Sequence, residues 1–198
     1  MEVALDTQVT TAATVDRLGV KPEHFPDCCA GVSRPLMHAI IDRLPQDPAL
    51  ILSVGSGSGR FEAVLLEVAL VDRARVLHLR GVEVPPCINR HLDKDRVFRV
   101  PCTMSLHPEA FFASAWLFVY PRRASLVAKY LDAFTDGAME MVSWLGHRND
   151  WPEMESVLLA AFIKLECIDG PGIPEYELLA VASMPRRSPV QPAVKNVH

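Results

Sequence analysis

The sequence has no C-x-x-C pair, no excess of positive charge and no apolar run long enough for a bilayer. Its five cysteines, Cys28, Cys29, Cys87, Cys102 and Cys167, are odd in number and scattered. That argues against a disulfide framework or a zinc site. It reads as free thiols of an intracellular, cytoplasmic protein with no bound metal. The formal net charge is −4, which gives neither nucleic acid nor an anionic membrane an electrostatic footing as partner. The longest strongly apolar stretch, "AFFASAWLFVY", is too short to span a bilayer as a helix. Near the start, Glu2, Asp6 and a Thr-rich run interrupt any signal-peptide pattern. Internal repeats and an interdomain linker are lacking as well.

What is present suits one domain. The chain has 198 residues, of which 49% are apolar, enough for a single sizeable core. Residues 14–29 suggest only a short helix and a turn, so 1–32 is expected to be a partly irregular N-terminal segment. Ser33 is a candidate N-cap for a helix over 34–44, where Leu36, Ile40, Ile41 and Leu44 form an apolar stripe. "ALILSV" (49–54) reads as a buried strand. "RFEAVLLEVALV" (60–71) reads as a helix with Phe61, Val64, Leu65 and Val68 toward the core. Further strands are expected at 75–84, 96–100, 115–120 and 138–144, and helices at 124–134 and 150–162. The stretch 85–95 leaves room for one or two helical turns. Asp150 with Glu153 gives a capping-box pattern. Runs at 163–168 and 176–184 flank "DGPGIP" and read as a hairpin. The Pro-rich, basic stretch 185–198 is expected to be a loose tail. Alternation of strands and helices over 33–184 argues for a mostly parallel sheet covered on both faces, with its last strand antiparallel.

One loop stands out. In "LILSVGSGSGRF", Gly55, Gly57 and Gly59 separate a strand from a helix. In such a unit the first glycine makes a tight turn, the second lets a ligand approach the backbone, and the third lets helix and strand pack closely. The helix N-terminus beyond offers unpaired N–H groups and a positive dipole end. A phosphate-binding P-loop would need Gly-Lys-Ser/Thr, and none occurs. A dinucleotide fingerprint would need a glycine where Arg60 stands. The spacing is G-x-G-x-G.

With "ILSVGSGSG", the second-strand segment "LRGVEV" and the closing hairpin "IKLECIDGPGIPEYELLAVASM", residues 33–184 resemble the class I S-adenosylmethionine-dependent methyltransferases. The resemblance implies a three-layer Rossmann-like α/β fold, a mostly parallel seven-stranded sheet with an antiparallel C-terminal hairpin strand. It implies S-adenosylmethionine as cofactor. Gly55, Gly57 and Gly59 would lie under its methionine part and Glu83 would bind the ribose hydroxyls, for which a carboxylate suits a diol. Two positions depart from the family. Ser53 stands where an acid usually precedes the first glycine, so the cofactor's ammonium group loses a partner there. Cys102 and Thr103 stand where an acid often meets the adenine amine. Ser53, Cys102 and Thr103 are therefore expected to give weaker contacts, and the cofactor to bind weakly or the ligand to differ.

Ligands of open α/β sheets sit beyond the carboxyl ends of the strands. There "VYPRR" and "SWLGHRNDW" offer Tyr120 and His147 for acceptor contact or as a base. Methyl transfer chiefly needs alignment and exclusion of water. The family's N-P-P-Y type motif is absent, which points away from ring-nitrogen and amide acceptors and toward a small-molecule substrate. Trp144 and Trp151 read as core. With no inserted lid, the pocket is expected to be completed by the N-terminal segment or by a second chain in a homodimer. Two readings stay open. One is a small-molecule methyltransferase. The other keeps the fold without methyl transfer, as a non-catalytic partner subunit or an enzyme repurposed for cyclisation or isomerisation. The glycine loop and Glu83 favour the first, and the missing acids favour the second.

Overall fold

A computed structural model of the chain describes residues 11–184. Residues 11–17 are helical (α1). There follow α2 (Arg34–Ile41), β1 (Leu50–Val54), α3 (Arg60–Arg73), β2 (His78–Glu83), β3 (Val97–Arg99), β4 (Ala115–Val119), α4 (Ala124–Phe134), β5 (Met141–His147), α5 (Trp151–Ala161), β6 (Lys164–Ile168) and β7 (Glu177–Ser183). The expected tail at 185–198 lies outside the described residues.

The seven strands form one sheet in the order β3-β2-β1-β4-β5-β7-β6. The pairs from β3 through β5 are parallel, and β7 runs antiparallel to both β5 and β6. The expected architecture is therefore present, with the last strand inserted beside the edge and β6 forming the edge itself. Strand order reverses between β1 and β4. Connections leave these two strands in opposite directions, which opens a crevice at their carboxyl ends.

Strand side chains alternate between two cores, as the period of two requires. Ile51, Leu79, Leu117 and Leu145 pack with α1, α2 and α3 through Val15, Leu36, Ile40, Phe61, Val64, Leu65 and Val68. Their neighbours Leu52, Trp116, Phe118 and Trp144 pack with α4 and α5 through Val127, Tyr130 and Leu158. Trp144 is core, and Trp151 lies against it at a ring separation of 5.4 Å.

Local chemistry explains the ends of the elements. Ser33 is extended, and its Oγ accepts from the Leu36 N–H, so it caps α2 as expected. That helix stops at Ile41, short of Leu44. The capping box at Asp150 does not form. Asp150 has helical backbone angles and makes no side-chain cap bond, because a 3₁₀ turn, Arg148–Asp150, leads straight into α5. Between β2 and β3 the helical piece is another 3₁₀ turn, Lys94–Arg96, in keeping with the little room that 85–95 leaves.

Candidate functional site

The glycine loop sits at the crevice. After β1, the N–H groups of Gly55 and Ser56 both donate to the Val82 carbonyl, at 2.9 and 3.2 Å, and pin the loop to β2. Gly55 and Gly57 have φ of +83° and +57°, and a Cβ on either would stand in open space. Their surface is bare backbone that a ligand can approach. Gly59 has a different role: a Cβ there would meet Asn89 Oδ1 at 2.5 Å and the Leu92 nitrogen at 3.1 Å. It permits close packing of the 89–92 segment. α3 follows at once without a side-chain cap.

Glu83 ends β2 at the lip of this loop. Its Oε2 accepts from the Gly57 N–H at 2.8 Å and its Oε1 from the Val84 N–H at 2.7 Å. An ionised carboxylate has about four lone-pair positions, so each oxygen keeps room for one further donor. Ser53 is buried in β1, and its hydroxyl donates to Glu62 Oε1 at 2.6 Å. Glu62, in the first turn of α3, is 1% exposed, and its Oε2 has no hydrogen-bond partner among the described residues. Burial pushes the Glu62 carboxyl up to about 7, against the Ser53 hydrogen bond and with help from the Glu83 charge. The sequence reading missed Glu62. The available signal is an acid set among Phe61, Val64 and Leu65, three residues after the last loop glycine. Cys102 and Thr103 lie in an exposed turn just past β3. Cys102 bonds within that turn to Ser105, which holds its thiol below the ordinary range.

The N-terminal segment packs onto the loop. Glu23 and Val32 pair as an antiparallel bridge, and Asp27 at the turn between them is bound by Arg60 and His91. Burial alone would raise the Asp27 carboxyl. The two basic partners outweigh it and hold the group at about 2. Ser58 adds a hydrogen bond from its hydroxyl to the Asp27 carbonyl at 2.8 Å. Its own carbonyl accepts from the Arg90 and His91 N–H groups. Cys28, next in the hairpin, has its thiol raised to about 12 by burial, and the Glu62 charge adds to the effect.

At the ends of β4 and β5 the structure brings Tyr120 and His147 together with a third residue, Glu177. Tyr120 has φ +50°, a left-handed conformation that costs a non-glycine residue about 1–2 kcal/mol. It is held there by an N–H bond to the Leu145 carbonyl at 2.7 Å and by its hydroxyl, which donates to Glu177 Oε1 at 2.8 Å. Glu177 opens β7 directly opposite His147. It is wholly buried and accepts also from the Gly31 N–H at 2.9 Å, and its Oε2 has no partner among the described residues. Burial raises its carboxyl above the ordinary range, and burial with the Glu177 bond raises the Tyr120 phenol still further. The phenol therefore keeps its proton. His147 stacks on Tyr176 at 5.8 Å, and its Nδ1 accepts from the Asn149 N–H at 3.1 Å. In the neutral ring that leaves the proton on Nε2. Tyr120 also lines a cavity of about 320 Å³ with Cys29, Arg122, Trp144, Asp150 and Met154. A larger one, about 600 Å³, lies along α3 around Leu66, Leu70, Leu92 and Arg96, and none of residues 55–59 lines it.

No protein-family model matches the sequence, and no curated protein does. Solved structures match the fold at low identity. Precorrin-6y methyltransferase from Geobacter metallireducens aligns with a TM-score of 0.51 at 15% identity, over 76% of this chain and 87% of that one. The tRNA methyltransferase TrmI from Aquifex aeolicus aligns with a TM-score of 0.58 at 17% identity, over 82% and 73%. An S-adenosylmethionine-dependent O-methyltransferase from Thermotoga maritima aligns with a TM-score of 0.50 at 16% identity, over 79% and 68%. Sheet order, closing hairpin and these likenesses agree: the chain has the Rossmann-like fold of the class I methyltransferases.

Proposed function

We propose that this protein binds S-adenosylmethionine at the glycine loop and transfers its methyl group to a small molecule held beyond β4 and β5. The observation that carries the reading is the open backbone cradle of Gly55 and Gly57 with the Glu83 carboxylate at its lip. The residues present suit such a ligand. Bare backbone lies where an elongated molecule must approach, and Glu83 has spare acceptor capacity for a ribose diol. Cys102 and Thr103, on the same edge of the sheet, are the candidates nearest the adenine end.

When bound, S-adenosylmethionine supplies an electrophilic methyl group on a positively charged sulfur. The chain's own part is alignment and exclusion of water. The 23–32 hairpin, fastened through Asp27 to Arg60 and His91, covers the loop side. At the acceptor side Tyr120 has its hydroxyl proton committed to Glu177, so its oxygen serves as a hydrogen-bond acceptor and its ring as a wall. His147 presents Nε2–H, a donor that orients an acceptor molecule. The small cavity beside Tyr120 and the net charge of −4 support a small-molecule acceptor over a polyanion.

Calorimetric titration with S-adenosylmethionine and S-adenosylhomocysteine tests the cofactor, and a methyl-transfer screen over hydroxyl- and thiol-bearing small molecules tests the reaction. Binding with no transfer to any acceptor would favour the fold kept without transfer.

A further inference from the structure

Glu62, three residues past the last loop glycine, has a buried carboxylate oxygen without a hydrogen-bond partner among the described residues. It lies one helical turn into α3, next to Ser53, and within electrostatic reach of Glu83 on β2 and Cys28 on the hairpin. A buried carboxylate with an orphan oxygen is costly for a fold to keep unless a donor or a cation completes it. No basic side chain bonds to it among the described residues; its one side-chain partner is the Ser53 hydroxyl. The strand position ahead of the first glycine holds Ser53 in place of an acid, and Ser53 hands its single proton to Glu62. The carboxylate missing from β1 is thereby present, supplied from the facing helix and oriented by the serine.

We propose that Glu62 Oε2 is the binding site for a primary ammonium group, that of the amino-acid end of the ligand in the glycine loop. The inference rests on the cofactor reading above and extends it to a residue of α3. Glu62 must be ionised to act. Burial, with Glu83 adding like charge, lifts it to about 7 in the free protein, while the Ser53 bond works the other way. Ammonium binding is therefore linked to release of a proton near neutrality.

The test uses two probes that differ at the amino-acid end. S-adenosylhomocysteine carries the ammonium without a sulfonium charge; 5′-methylthioadenosine keeps the nucleoside and sulfur but has no amino-acid portion. In Glu62→Gln the amide oxygen still accepts from Ser53 and the buried charge is gone, so the variant folds. It should lose about 10–100-fold in affinity for S-adenosylhomocysteine, with affinity for methylthioadenosine unchanged. In the wild type, acidification from roughly pH 8 to pH 6 should weaken S-adenosylhomocysteine relative to methylthioadenosine, and this difference should vanish in Glu62→Gln. Equal losses for both probes, or no loss for either, overturn the assignment of Glu62 while leaving the cofactor site standing. Failure of the wild type to bind either probe overturns the cofactor reading, and this inference with it.

Discussion

Replacing Glu83 with alanine probes the cradle most sharply, because the structure specifies what is lost. Each carboxylate oxygen accepts one backbone N–H, from Gly57 and from Val84. Both N–H groups lie on half-buried segments and can turn partly to water, so the free protein should lose about 1–2 kcal/mol, the low end of the cost of unmade bonds. The ligand loses more. Two hydroxyls of a ribose diol would each give a charge-assisted bond, and exposure of the lip trims their sum to about the worth of one such bond, roughly 1.5–3 kcal/mol. That corresponds to about a 10- to 150-fold rise in dissociation constant. Glu83→Gln keeps the shape and one acceptor oxygen and should lose less. The assay is calorimetry with S-adenosylhomocysteine and its 2′-deoxy counterpart. Wild type should favour the ribose form, and Glu83→Ala should bind the two alike. Unchanged affinity in Glu83→Ala, or a variant that still discriminates against the deoxy probe as wild type does, would refute the role.

Other consequences follow from the same geometry. Gly57→Ala places a methyl group in the cradle at a φ of +57°; it should cost about 1–2 kcal/mol of stability and abolish ligand binding, by thermal melting and titration. Tyr120→Phe leaves the buried Glu177 with the Gly31 N–H as its one donor among the described residues, and should lower the melting temperature by about 2–8 °C, from a loss of about 1–2 kcal/mol. For Glu62 the folded carboxyl lies above its unfolded value, at about 7, so the folded state takes up a proton first as pH falls. Stability should rise on acidification from roughly pH 8 to pH 5, and the rise should be smaller in Glu62→Gln by thermal melts across that window. A variant that parallels wild type removes Glu62 as the titrating group. His147→Ala should reduce turnover by far less than the roughly 10²–10⁴-fold of a lost general base, because Nδ1 is engaged by Asn149 and the ring presents a donor.

The sheet was legible because its signals are local. Apolar runs, a Gly-rich strand end and a Gly/Pro hairpin each mark their own position, and together they give a mostly parallel sheet with an antiparallel last strand; the order of strands across the sheet comes from the structure. That Gly55, Gly57 and Gly59 form the turn from β1 into α3, and that Glu83 ends β2, could be read for the same reason: a strand end and the loop beside it are short-range features. What escaped is long-range. Tyr120 and Glu177 are 57 positions apart, and Asp27 and His91 are 64 apart. No period in the sequence pairs them. Glu62 was hidden differently. Its acid interrupts the apolar stripe of α3, yet that it turns inward to Ser53 depends on how α3 is seated against β1. Asp150 shows the reverse failure, a correct local pattern overridden by the 3₁₀ turn that carries the chain from β5 into α5.

The loop after β1 is proposed as a binding site for S-adenosylmethionine. Isothermal titration of the full chain with S-adenosylhomocysteine, repeated on Gly57→Ala, tests it most directly. Wild type should show saturable binding to one site per chain in the micromolar range, lost in the variant. No heat and no thermal shift with millimolar ligand, or binding that survives Gly57→Ala, would contradict it.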